Sequence, residues 1–79
     1  MPTSPTIHTP AQLLGVNIRM AREDAKLTQL ELAHRLGYRG RNAGAKISRV
    51  ESGEQEPRLE KIIRIARELR VPVEQLLPR

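Results

Sequence analysis

Five basic side chains and no acidic one stand between residues 35 and 49: Arg35, Arg39, Arg41, Lys46 and Arg49. Guanidinium and ammonium groups at this density suit a polyanion, either nucleic-acid phosphates or an anionic lipid surface. The flanks are neutral. Residues 1–34 set three bases against three acids and residues 50–79 set six against six, so the central segment holds the whole formal charge of +5. On composition alone, a solvated basic face is an equal reading. Other chemistries lack their residues. Cysteine is absent, the histidines are His8 and His34 alone, and Asp24 is the sole aspartate. No disulfide, thiolate nucleophile, metal cluster or nucleophile–base–orienter set can be assembled from these, so neither an enzyme nor a cofactor is expected. No apolar run approaches the roughly 20 residues that span a bilayer. The amino terminus lacks the Lys/Arg-led apolar segment of a signal peptide, which makes a cytoplasmic location the expectation.

The elements that must hold these cations in place are short helices. Residues 1–8, MPTSPTIH, lack periodicity and read as a flexible tail, leaving 9–79 as one domain. Thr9-Pro10-Ala11-Gln12 has the pattern of a capping box with proline at the first helical position, and Leu14, Ile18, Ala21 and Ala25 then recur on one helical face. Thr28-Gln29-Leu30-Glu31 is a second capping box. It opens a helix with Leu32, Ala33 and Leu36 inward, stopped by Gly37. Residues 38–46, YRGRNAGAK, begin as a turn, with Asn42 able to cap a third helix that buries Ile47 and Val50 and ends at Ser52-Gly53. Leu59, Ile62, Ile63, Ala66 and Leu69 mark a fourth helix, broken at Val71-Pro72, and Val73, Leu76 and Leu77 mark a last one. The expected fold is all-α, a compact bundle of five short helices. Its core is aliphatic: twenty Leu, Ile and Val and seven Ala accompany one tyrosine and no Phe or Trp.

A capped helix, a glycine-stopped turn and a basic helix ending in Glu51-Ser52-Gly53 have the order of a helix-turn-helix. Residues 14–37, LGVNIRMAREDAKLTQLELAHRLG, and 47–77, ISRVESGEQEPRLEKIIRIARELRVPVEQLL, resemble the lambda-repressor-like family of phage-repressor and xenobiotic-response-element type. One departure stands out. Nine residues separate Gly37 from Ile47, longer than the family's interval by about four, close to one helical turn. Either the turn is a longer loop, YRGR, before a helix from about Asn42, or the third helix gains a turn. Gly40 and Gly44, each costing about 1 kcal/mol in a helix, favour the loop.

The resemblance makes the third helix the one that enters the major groove. With Ile47 and Val50 inward, Lys46 and Arg49 share the opposite side and are the expected base readers, since Arg or Lys to guanine O6/N7 is the commonest specific contact. Ser48 is a nearby donor. Asn42 suits adenine or a capping role, capping being preferred. Ala43, Gly44 and Ala45 are small where relatives often carry base-reading side chains, which implies close helix approach, methyl contact with thymine by Ala45, or weaker readout. Thr28 and Gln29 carry over as a phosphate clamp at a helix N-terminus. Arg58 matches a position that meets the backbone, and Arg39 and Arg41 join it by charge. Arg22 and Glu51 match a structural ion pair that pins the recognition helix. Val73, Leu76 and Leu77 are the expected dimer surface, with closure of the core as the alternative. Tyr38 alone cannot build a platform for single strands, His34 is expected on the exposed side of the second helix, and Leu30 is a stray apolar residue or a partner contact.

The implied function is a sequence-specific double-stranded DNA-binding transcriptional regulator, a repressor acting as a nucleoid-associated homodimer. The alternative is an antitoxin or coactivator-like interaction module, whose partner would be a protein such as a toxin.

Overall fold

The computed structural model describes residues 9–78; the expected tail lies outside them. Five helices follow in order: α1 (Pro10–Asp24), α2 (Gln29–Arg35), α3 (Gly44–Glu51), α4 (Leu59–Leu69) and α5 (Val73–Leu76), with no strand among the described residues. Both capping boxes form in full. Thr9 N donates to Gln12 Oε1 (2.9 Å) and Gln12 N to Thr9 Oγ1 (3.2 Å); Thr28 N donates to Glu31 Oε1 (2.8 Å) and Glu31 N to Thr28 Oγ1 (3.0 Å). The bonds from Thr28 stabilise the carboxylate form of Glu31 and hold its pKa below the ordinary glutamate value. The other ends of α1 and α4 close without glycine. Lys26 and Arg70 take left-handed backbone (φ 62° and 59°), while Leu27 N and Val71 N reach back to the carbonyls of Arg22 and Ala66.

The core runs through Leu14, Ile18, Leu32, Leu36, Ile47, Val50, Ile62, Ile65, Leu69 and Leu76, with small residues at the crossings. Several positions differ from the sequence reading. Ala25, placed on the inward face of α1, is exposed because the helix has already ended at Asp24. On α4 the buried stripe is Ile62, Ile65, Ala66 and Leu69, whereas Leu59 and Ile63 are 60% and 39% exposed. Two apolar faces overlap on this helix, and the one that meets α1 and α5 is buried. Leu76, assigned to a dimer surface, is fully buried; its carbonyl accepts from Asn17 Nδ2 on α1 (3.0 Å). A side chain with no exposed area cannot supply contact area to a partner. Of the three residues assigned there, Val73 and Leu77 keep partial exposure.

The most extensive helix–helix interface joins α2 to α3, and the next joins α1 to α3. Both depend on glycine. A Cβ on Gly15 would fall against the main-chain carbonyls of Val50 and Glu51, so α1 crosses the last turn of α3 in near-backbone contact. A Cβ on Gly44 would lie 3.2 Å from Leu30 N, which sets the start of α3 close against the start of α2. Above these crossings sits a buried ion pair. Arg22 Nε and Nη2 donate to the two carboxylate oxygens of Glu51 (2.6 and 3.1 Å), and Arg22 Nη1 donates to the Leu27 carbonyl (2.7 Å). Gln29 Nε2 also donates to Glu51 (3.0 Å), tying α1, α2 and α3 to one carboxylate. Among the described residues no buried side-chain polar atom lacks a partner.

These contacts set the response to two substitutions. Gly15→Ala adds about 1 kcal/mol of helix propensity, yet its methyl must displace the end of α3, an overpacking cost of about 1–3 kcal/mol. A net fall in Tm, by about 4–8 °C per kcal/mol for a domain of this size, is expected in thermal unfolding followed by circular dichroism; a rise would show that the crossing is loose. Arg22→Met strands the Glu51 carboxylate and is expected to cost about 3–5 kcal/mol, while replacing both partners with apolar residues should return much of it. Chemical denaturation of the two single variants and the double variant measures that coupling.

Candidate nucleic-acid interface

Helix α3 is divided cleanly between fold and surface. Ile47, Val50 and Glu51 are buried, whereas Ala45, Lys46, Ser48 and Arg49 are exposed. The exposed four lie on adjoining helical positions and make one continuous outward strip. The small residues before them serve the packing: Ala43 is buried and Gly44 lies against α2. Helix α3 begins at Gly44, later than the sequence reading placed it, and Asn42 does not cap it. Ala43 occupies the cap position with helical backbone angles and no side-chain cap bond. Residues 41–43 form a tight turn that runs straight into the helix, with Ala45 N and Lys46 N donating to the carbonyls of Asn42 and Ala43. Main-chain acceptors already satisfy these first amides, which leaves the Asn42 side chain exposed at the mouth of the turn.

The long connection between α2 and α3 is a loop rather than an added helical turn, and it is braced at several points. His34 Nε2 donates to the Gly40 carbonyl (3.1 Å). Ala43 N also donates to that carbonyl (3.3 Å), and Tyr38 N to the carbonyl of Ala33 (3.0 Å). The Tyr38 ring is half-buried against the core, and its hydroxyl accepts from Lys61 Nζ on α4. Arg39 and Arg41 project from this braced loop into solvent.

At the start of α2, Thr28 is exposed and Gln29 half-exposed. The capping box engages the amides of Thr28 and Glu31, and one hydrogen of the Gln29 amide goes to Glu51. Gln29 is thus a strut between α2 and α3 with one amide hydrogen left outward. Arg58 is the exposed residue at the head of α4. Arg49 stands close to an acid, with its Nε 4.0 Å from Glu54 Oε2 and both side chains more than half exposed. An ion pair so exposed contributes little to stability and exchanges readily for another anion.

Three residues to which the sequence reading gave no role in this surface take part in it. His34 fastens the loop, Tyr38 anchors it, and Lys61 bridges it to α4. The available signal was positional: the single aromatic residue of the chain stands beside its one departure in spacing. Lys61 carried none, because it lies in the segment 50–79, whose bases and acids balance.

A comparison with curated proteins finds no match. A family model described as Helix-turn-helix matches residues 18–76, which runs from the middle of α1 through the end of α5 and takes in the braced loop and the outward strip of α3. The chain belongs to the lambda-repressor-like helix-turn-helix family of DNA-binding regulators.

Proposed function

We propose that this protein is a sequence-specific double-stranded DNA-binding repressor that acts as a homodimer on a two-fold-related operator. The observation that carries the reading is the division of α3. Its buried side is clamped through Glu51, Ile47 and Val50, and its free side offers Ala45, Lys46, Ser48 and Arg49 on a family scaffold that binds DNA. With α3 in the major groove, Arg49 reaches guanine O6 and N7, Ser48 donates to a base or phosphate, and the Ala45 methyl meets a thymine methyl. Helix α2 braces across the backbone, where Thr28 and the free hydrogen of Gln29 meet one phosphate. Arg58, Arg39 and Arg41 supply further backbone contacts, which set register but carry no sequence information. Two copies with recognition helices about 34–36 Å apart would meet successive major-groove faces. Val73 and Leu77 are half-exposed, and Leu77 lines a groove with Leu13 and Asn17 of α1, which supports a contact between copies there. A nucleoid-associated location in the cytoplasm accords with this role.

Selection of bound duplexes from random DNA tests the reading directly. The unmodified protein should enrich a two-fold-related site, with a log–log salt slope of about −0.9 per phosphate neutralised. Arg49→Ala is expected to relax one operator position by about 1–3 kcal/mol, while Arg39→Ala weakens all sequences alike. If no duplex binds and a protein partner is captured instead, the interaction-module reading replaces this one. Glu54→Gln frees Arg49 from its acidic neighbour and should tighten operator binding at low salt, with the gain shrinking as salt rises; an unchanged affinity in titrations at several salt concentrations would show that Glu54 does not compete.

A further inference from the structure

Cations from two helices converge on the side chain that anchors the loop. Lys61 Nζ lies 4.3 Å from the centroid of the Tyr38 ring and Lys46 Nζ lies 5.3 Å from it, both within the roughly 6 Å reach of a cation–π contact. The two ammonium groups therefore stand about a Debye length apart or closer, and they repel. Among the described residues, neither has a carboxylate oxygen within 4.0 Å. The ring and both lysines line a groove of about 510 Å³ between the end of α2, α3 and the head of α4, which Arg58 also enters. Glu56 and Glu60 border the same groove without pairing with either lysine. The Tyr38 hydroxyl accepts from Lys61, which leaves its own proton to donate. Two like charges, one free O–H and open space between them make a receptor for a compact oxyanion, whose arrival would relieve the repulsion.

We propose that Lys61, Lys46 and the Tyr38 hydroxyl form a seat for a single phosphate of the DNA backbone beside the recognition helix. This rests on the DNA-binding reading and alters one part of it: Lys46 meets the backbone, and Arg49 is left as the charged base reader. Placement supports the backbone as the source of the phosphate. Lys46 precedes Arg49 by three residues on the same exposed side of α3, so an anion held at the groove lies alongside the strip that faces the bases. Tyr38, tied to the end of α2 through its amide, brings its ring between the lysines of α3 and α4.

The test is the salt dependence of duplex binding for the unmodified protein, Lys61→Met, Lys46→Met, the double variant and Tyr38→Phe, each checked for its thermal transition. Methionine keeps an apolar stem against the ring and removes the charge. The log–log slope should fall by about 0.9 per subunit in Lys61→Met, as expected when one fewer phosphate is neutralised. The double variant should lose no second unit, and the sequence selected by Lys46→Met should match that of the unmodified protein. Tyr38→Phe should weaken binding across all sequences. A steep slope unchanged in a folded Lys61→Met removes the seat while leaving DNA binding intact. A fall twice as large in the double variant shows two separate phosphates, and a relaxed operator position in Lys46→Met returns that lysine to base reading; either overturns the proposal. If inorganic phosphate binds the groove yet displaces the duplex no more than chloride does at matched ionic strength, the seat holds a free anion and the backbone assignment fails. If the unmodified protein binds no duplex, the DNA-binding reading falls and the seat falls with it.

Discussion

One carboxylate fixes the direction of α3 against the two helices packed on it. Glu51, at the last residue of α3, receives two hydrogen bonds from Arg22 on α1 and one from Gln29 at the start of α2. The guanidinium that meets it is itself tied to the Leu27 carbonyl, in the link between α1 and α2. Isolated, a buried charge of either sign would cost several kcal/mol; paired and fully hydrogen-bonded, it instead selects one relative placement of three helices. An apolar contact could bury as much area, but it would tolerate sliding. A bidentate pair does not, because its two hydrogen bonds fix direction as well as distance. For a helix proposed to meet base edges through its free side, direction is the quantity that matters.

The same requirement accounts for the small residues around α3. A short helix has few side chains with which to hold its place, and an outward strip leaves still fewer. Here the deficit is met by backbone proximity: α1 crosses at Gly15 and α2 at Gly44, where no side chain stands between the helices. Each glycine gives up about 1 kcal/mol of helix propensity. In return, α3 is gripped at both ends, by Gly44 against α2 and by Gly15 with Glu51 against α1. The exposed positions between them take no part in packing the core.

Legibility in the sequence followed the range of the interaction that decided each feature. The capping boxes at Thr9–Gln12 and Thr28–Glu31 are complete within four residues, so their patterns announce them and the structure forms them in full. The inward face of α3 was equally readable, because Ile47 and Val50 are its only large apolar residues. On α4, Leu59, Ile62, Ile63, Ile65 and Leu69 offer more apolar faces than one helix can bury, and only the placement of α1 and α5 chooses among them. Leu76 misled for the same reason. An apolar residue near a chain end suits a partner or the core equally, and the bond from Asn17, fifty-nine residues earlier, lies beyond any local pattern. Asn42 failed through competition: the residue type favours capping, but a tight main-chain turn reached the same amides first.

The central charge illustrates what folding adds to composition. In the sequence, five cations in residues 35–49 form a uniform run. In the structure they separate by position: Arg35 ends α2, Arg39 and Arg41 stand on the loop, Lys46 over the Tyr38 ring and Arg49 on the outward strip of α3. A flexible loop would have pooled these charges into a diffuse field, attractive to any polyanion and selective for none. The bond from His34 to Gly40 and the anchoring of Tyr38 by Lys61 prevent that. They turn a long connection, ordinarily a source of entropy, into a fixed bracket beside α3. Charge located in this way acts over hydrogen-bond distances as well as over a Debye length. That difference separates a surface that merely collects nucleic acid from one that can hold a duplex in a single register.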